Sequence, residues 1–143
     1  MKKMIKILMI EDDADFCYLI RKTLEKQKDF QVVGQCSDGF QALSLAKKYQ
    51  PDIVLLDLNL SSGGLDGIRI GKEIRLQTDA KIVILTAFED SDIILEACTG
   101  CFASAYVFKS QFKGLEEIIR NTAHGSTPQQ HLIRSAVLAP LSP

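Results

Sequence analysis

Glu11, Asp12 and Asp13 stand directly after the apolar residues Ile7 to Ile10, and Asp15 lies close behind. A run of that kind is buried, so its end delivers neighbouring carboxylates to a partly buried edge, where they raise one another's pKa and repel. A divalent cation relieves the repulsion, and hard oxygen donors with open positions suit Mg²⁺ or Mn²⁺. Asp57 closes a second apolar run, Ile53 to Leu56. Beside such a cation it is both a ligand and a candidate nucleophile, because a carboxylate can attack phosphorus and form an aspartyl phosphate. The transferring group spreads negative charge over its oxygens and calls for a further cation and a hydroxyl donor. Lys109 and Thr86, each at the end of another apolar run, supply those two.

Taken singly, each residue has a plainer use. An Asp after a strand commonly forms a turn or helix cap. Glu11 and Asp12 could cap a first helix, and Asp13 and Asp15 are well placed to do so. Thr86 could be an ordinary β-branched strand residue and Lys109 a solvated charge. The conjunction is what is specific: acids after the first apolar run, an acid after the third, a hydroxyl after the fourth and a lysine after the fifth.

For those residues to meet, the chain must bring the ends of its apolar runs to one edge. Strands are expected at Ile5 to Ile10, Gln31 to Gly34, Ile53 to Leu58, Lys81 to Thr86 and Ala105 to Phe108, short and several rich in β-branched residues. Helix-period stripes lie between them: Phe16, Leu19, Ile20 and Leu24; Ala42, Leu43, Ala46 and Tyr49; Ile68, Ile70 and Ile74; Ile93, Ile94 and Ala97 behind a cap at Ser91 or Asp92; and Leu115, Ile118, Ile119 and Thr122. Five strand-then-helix units with nearly continuous apolar strands predict an α/β, doubly wound, five-stranded parallel sheet with helices on both faces. Right-handed crossovers bring the strand C-termini to one edge. In the flavodoxin-like order 2-1-3-4-5, strands 1 and 3 flank the switch point, so Glu11, Asp12 and Asp57 converge there.

With 143 residues, the chain is the size of one domain, long enough to bury roughly 68 to 70% of its unfolded surface. Its 17 basic and 18 acidic residues leave a net charge of -1, which gives no electrostatic footprint for nucleic acid or an anionic membrane. The apolar runs are far too short to span a bilayer, and the Lys2-Lys3 start lacks a secretory h-region. A cytoplasmic location is expected, which the spacing of Cys17, Cys36, Cys98 and Cys101 also fits. Cys98 and Cys101 match C-x-x-C, but a zinc site wants a second pair and a thioredoxin-like site wants the motif opening a helix, so both are expected to be small buried hydrophobes.

The pieces IEDD at 10–13, VLLDLNL at 54–60, DG at 66–67, ILTA at 84–87 and AYVFK at 105–109 resemble the receiver domain of two-component response regulators, over residues 4 to about 124. That resemblance implies that Asp57 is the phosphoacceptor, that Asp12 ligates Mg²⁺ directly while Glu11 acts mainly through water, and that Asn59 contributes its backbone carbonyl. A one-residue register decides between Asp12 and Asp13 as the direct ligand, and the family pattern favours Asp12. It further implies a switch in which Thr86 moves toward the phosphoryl group and Tyr106 rotates, altering a surface formed by the fourth helix, fifth strand and last helix. The implied partners are a sensor histidine kinase or phosphotransfer protein, with a homodimer on activation.

Some features depart from the family pattern. Ser61 replaces a common Pro in a loop, 61–65, about two residues longer than usual; Ser110 replaces the Pro after the lysine; and Phe102 and Ala105 replace glycines. Lys-Ser pairs occur in the branch with LuxR-type helix-turn-helix output, and GLEEIIRNTAHGS at 114–126 and LAPLSP at 138–143 resemble that branch's last receiver helix and linker. The expected organisation is a receiver over 1–124 and a linker or tail over 125–143, leading to a DNA-binding domain absent from this chain. The alternatives are a stand-alone receiver, a pseudo-receiver with phosphorylation unused, and a haloacid-dehalogenase-like phosphatase with its nucleophile at Asp13. A flavin-mononucleotide binder is disfavoured by acids where a phosphate cradle should be.

Overall fold

The computed structural model of the chain describes residues 3–58, 64–87, 95, 98–101 and 103–125. Its sheet comprises β1 (Ile5–Ile10), β2 (Phe30–Cys36), β3 (Ile53–Asp57), β4 (Lys81–Thr86) and β5 (Ala105–Phe108). All strand pairs are parallel, in the order β2-β1-β3-β4-β5. Among the described residues, the longer helices are α1 (Ala14–Glu25), α2 (Gly39–Tyr49), α3 (Gly64–Gln77) and α4 (Leu115–His124).

Successive strand side chains point to opposite faces, and here both faces are apolar. Leu8, Ile10, Val54, Leu56, Ile82 and Ile84 pack with Ala42 and Ala46 of α2 and Ile74 of α3. Their neighbours Ile7, Met9, Ile53, Leu55, Val83 and Leu85 pack against Cys17, Ile20 and Leu24 of α1 and against α4. Two-sided burial is why the strands read as unbroken apolar runs rather than as alternation.

The second strand is longer than expected. Gln31 and Gln35 face solvent and Gly34 interrupts the apolar pattern, yet backbone pairing with β1 runs from Phe30 to Cys36 across a register shift between Ile7 and Leu8. Ladder hydrogen bonds recruit residues whose side chains carry no strand signal. The third strand is shorter by one residue, ending at Asp57. The α1 stripe also shifts: Cys17, Ile20 and Leu24 are buried, whereas Leu19 is 48% exposed. On α2, Ala42 and Ala46 fill the interface and Tyr49 lies at the surface. On α4, Leu115, Ile119 and Thr122 are buried as expected.

Residues 98–101 are helical, and Cys98 and Cys101, neither of them in a disulfide, have no exposed surface. Burial pushes them up to about 12 and about 11, so they act as small hydrophobes. The stripe of Ile93, Ile94 and Ala97, its caps Ser91 and Asp92, the loop residues Ser61, Ser62 and Gly63, Phe102 and residues 126–143 lie outside the described residues. No described helix is long and apolar enough to cross a membrane.

Two glycines shape the segments beside the functional edge. A Cβ on Gly67 would sit 3.2 Å from both the Cα and the carbonyl oxygen of Leu58, so the missing side chain lets α3 lie against the backbone just past Asp57 without displacing it. Gly114 takes φ +91° at the entry to α4, a conformation open to glycine. There the Leu115 N–H donates to the Phe112 carbonyl at 3.1 Å.

Candidate functional site

Strand register brings the chemically suggestive residues to one rim. Ile10 pairs with Leu56, so Glu11 and Asp57, each one residue further on, leave adjacent strands at the same level. Asp57 pairs with Leu85, which puts Thr86 one step beyond it, and Thr86 pairs with Phe108, which puts Lys109 one step beyond again. Main-chain bonds hold this rim: Glu11 N–H to the Cys36 carbonyl at 3.0 Å, Leu58 N–H to Leu85 at 3.3 Å and Lys109 N–H to Thr86 at 2.8 Å.

Across the rim, Lys109 Nζ lies 3.0 Å from Glu11 Oε1 and 3.1 Å from Asp57 Oδ1, and the side chains of both acids are wholly buried. Glu11 Oε1 also accepts from the Asp13 N–H at 3.1 Å. Carboxylate oxygens of Glu11, Asp12 and Asp57 lie within 4.8 Å of one another. Burial pushes the Glu11 carboxyl up to about 7, with the Asp57 charge adding to the rise while the Asp13 N–H and Lys109 oppose it. For Lys109, burial disfavours the charge, but hydrogen bonds and charges from Glu11 and Asp57 outweigh it and hold the ammonium above its ordinary value.

The donor set fits a divalent cation. Three acidic oxygens converge, and Glu11 Oε2 is buried without a hydrogen-bond partner. Buried polar atoms ordinarily find partners, and a hard cation is the partner this cluster suits. Lys109 alone does not balance Glu11, Asp12 and Asp57.

The neighbouring acids divide their roles. Asp13 is the N-cap of α1, its Oδ1 accepting from the Phe16 N–H at 3.1 Å. Its side chain is engaged there, while Asp12 joins the acidic cluster. Asp15 is exposed in the first turn of α1. Thr86 is fully buried at the end of β4. Tyr106 pairs with Ile84, is half-buried and packs edge to face on Phe108, with centroids 6.0 Å apart. The Lys109–Ser110 peptide is not cis; the described residues hold no cis bond. Asn59, Phe88 and the longer loop are outside the described residues.

Two aromatic residues at this rim carried no site signal. Phe16 belongs to the expected α1 stripe, yet its ring lies beneath Lys109, with Nζ 5.1 Å from the centroid. Phe112, in the segment after β5, meets the Phe16 ring edge to face at 5.8 Å. The available clue was a large ring in the first turn of the helix that Asp13 caps.

The family model for the response regulator receiver domain matches residues 7–120. The chain is 32% identical over 139 residues to the transcriptional regulatory protein LiaR of Bacillus subtilis (strain 168), covering 96% of this chain and 65% of LiaR. It is also 31% identical over 91 residues to a protein-glutamate methylesterase/protein-glutamine glutaminase of Methanospirillum hungatei, covering 64% of this chain and 25% of that protein. Among solved structures, a LuxR-family two-component response regulator from Aurantimonas sp. SI85-9A1 superposes with a TM-score of 0.74 at 26% identity, covering 94% of this chain and 96% of that one. The chain thus spans less than two thirds of these curated relatives' length. Sheet order, rim chemistry and sequence similarity agree, and the chain belongs to the response regulator receiver domain family, the signalling domains of two-component systems.

Proposed function

We propose that Asp57 is the phosphoacceptor of this receiver, and that Glu11 and Asp12 hold Mg²⁺ or Mn²⁺ together with Asp57 and the backbone carbonyl of Asn59. The observation carrying this reading is the convergence of Glu11, Asp12, Asp57 and Lys109 at the C-terminal rim of the sheet. When bound, the ion supplies positive charge that offsets the clustered carboxylates and the oxygens of a phosphoryl group.

A carboxylate oxygen of Asp57 attacks phosphorus in line, a P–O bond to Asp57 forms, and the P–N bond of a phosphohistidine breaks with its electron pair leaving on the imidazole. Lys109 already lies 3.1 Å from Asp57 Oδ1, so its ammonium is within a small side-chain movement of the incoming phosphoryl oxygens. The buried Thr86 hydroxyl supplies a hydrogen-bond donor one step along the rim.

The signalling consequence is a change at Thr86 and Tyr106 that alters a surface formed by the helix expected before β5, by β5 and by the last helix. A sensor histidine kinase or phosphotransfer protein supplies the phosphoryl group in the cytoplasm, and activated chains pair. LiaR by its name regulates transcription, so the output proposed here is transcription control through a helix-turn-helix domain beyond a linker at 125–143. The methylesterase relative carries a different activity, and the full-length gene distinguishes the two outputs.

The test is incubation with Mg²⁺ and a small acylphosphate, with mass-spectrometric mapping of any hydroxylamine-labile adduct. Label on Asp57, absent from Asp57→Asn, is the expected result. Label on Asp13 would support the phosphatase instead, and no label the pseudo-receiver.

A further inference from the structure

Lys109 has both ionic and aromatic neighbours. Glu11 and Asp57 lie 3.0 and 3.1 Å from its ammonium, and the Phe16 ring centroid lies 5.1 Å from the same nitrogen. A cation over an aromatic face is attracted by the ring quadrupole, more strongly when water is excluded, and the Lys109 side chain is only 19% exposed. Phe16 does not set its own ring plane alone. The edge-to-face contact with Phe112, at an interplanar angle of 83°, restricts it, and both rings rest on the apolar cluster under α1 and α4.

We infer that Phe16 and Phe112 form an aromatic clasp that positions Lys109 for phosphoryl transfer to Asp57. The inference rests on the phosphoacceptor reading and deepens it. A four-carbon lysine stem has many rotamers, and freezing them is costly in entropy. Two carboxylates leave the lysine stem free to reach them through several rotamers, whereas a ring 5.1 Å from Nζ favours those that keep the ammonium over its face. Phe16 is a positioning residue, because its neighbour is Lys109 and not the reacting atoms. Phe112 adds a second link: its carbonyl accepts the Leu115 N–H that opens α4. Displacement of Lys109 toward a phosphoryl group therefore loosens a ring whose partner anchors the last helix.

The experiment compares Phe16→Leu, which keeps apolar bulk and removes the ring, with Phe16→Tyr, which keeps the ring. Two readouts are taken on the intact chain: the initial rate of phosphoryl uptake from acetyl phosphate with Mg²⁺, and the NMR shifts of the Lys109 Cε protons, which a ring face moves upfield. Phe16→Leu is expected to lower the rate between about threefold and thirtyfold, the range of a partly desolvated cation–π contact. Its Cε protons should lose the upfield displacement, and Phe16→Tyr should retain both properties. Phe112→Leu should give a smaller loss in the same direction. Wild-type rate and shifts in Phe16→Leu would overturn the clasp, as would an equal rate loss in Phe16→Tyr, which would mark simple packing. If the wild-type chain takes no phosphoryl group at all, the phosphoacceptor reading fails. The Cε shifts then still decide whether the ring holds Lys109.

Discussion

Glu11→Gln, studied without divalent metal, isolates the electrostatic tension at the rim. In the folded chain Glu11 holds its proton up to about pH 7, whereas an unfolded glutamate releases it near 4.3. Between those values the folded state binds more protons than the unfolded one, so stability falls as pH rises through the window. The raised pKa corresponds to roughly 3 to 4 kcal/mol, fully lost above about pH 7. Glutamine cannot ionise, yet its carbonyl oxygen can still accept from Lys109 and the Asp13 N–H, the two donors now on Oε1. Urea unfolding in chelator at pH 5 and pH 8 measures the effect. With an m-value of about 1 to 3 kcal/mol per molar, the wild-type midpoint should fall by roughly 1 M or more relative to the variant. Adding Mg²⁺ at pH 8 should restore the wild type far more than Glu11→Gln. Parallel pH profiles for the two proteins, or a wild type that gains on the variant as pH rises, would refute the reasoning.

Asp12→Ala removes an oxygen from the acidic cluster without opening the core, so the fold should persist while stabilisation by Mg²⁺ disappears. At a hundredfold excess over Kd, the wild type should gain about 2.7 kcal/mol in thermal melts. Gly67→Ala places a methyl 3.2 Å from the Leu58 backbone; displacement of the segment after Asp57 should slow phosphoryl uptake, with a stability loss of about 1 to 3 kcal/mol by chemical denaturation. Cys98 and Cys101, buried and with strongly raised pKa values, should resist iodoacetamide at pH 8 in the folded chain and react once it unfolds. Rapid modification of either thiol in the native state would contradict that burial.

Much of the architecture was written in local pattern. Apolar runs at Ile5 to Ile10, Lys81 to Thr86 and Ala105 to Phe108 match β1, β4 and β5 residue for residue, because strands buried on both faces admit few polar side chains. The edge strand β2 was less legible, since its outer residues are recruited by main-chain pairing that side chains do not encode. Within α1 the expected stripe of Phe16, Leu19, Ile20 and Leu24 was off at one position, because packing on the sheet buries Cys17 and leaves Leu19 exposed.

For the site, residue types alone named Glu11, Asp12, Asp57, Thr86 and Lys109, because acids, a hydroxyl and a lysine at successive strand ends have no common structural cause. The tertiary fold decided what those residues feel. Register set Glu11 and Asp57 side by side, and capping of α1 by Asp13 left Asp12 to the cluster. Burial, rather than any local sequence feature, raised the Glu11 pKa, since desolvation depends on what the rest of the chain packs around a group. The same holds for Phe16: sequence gave it a helix face, and the approach of β5 and Phe112 turned that face into a seat for Lys109.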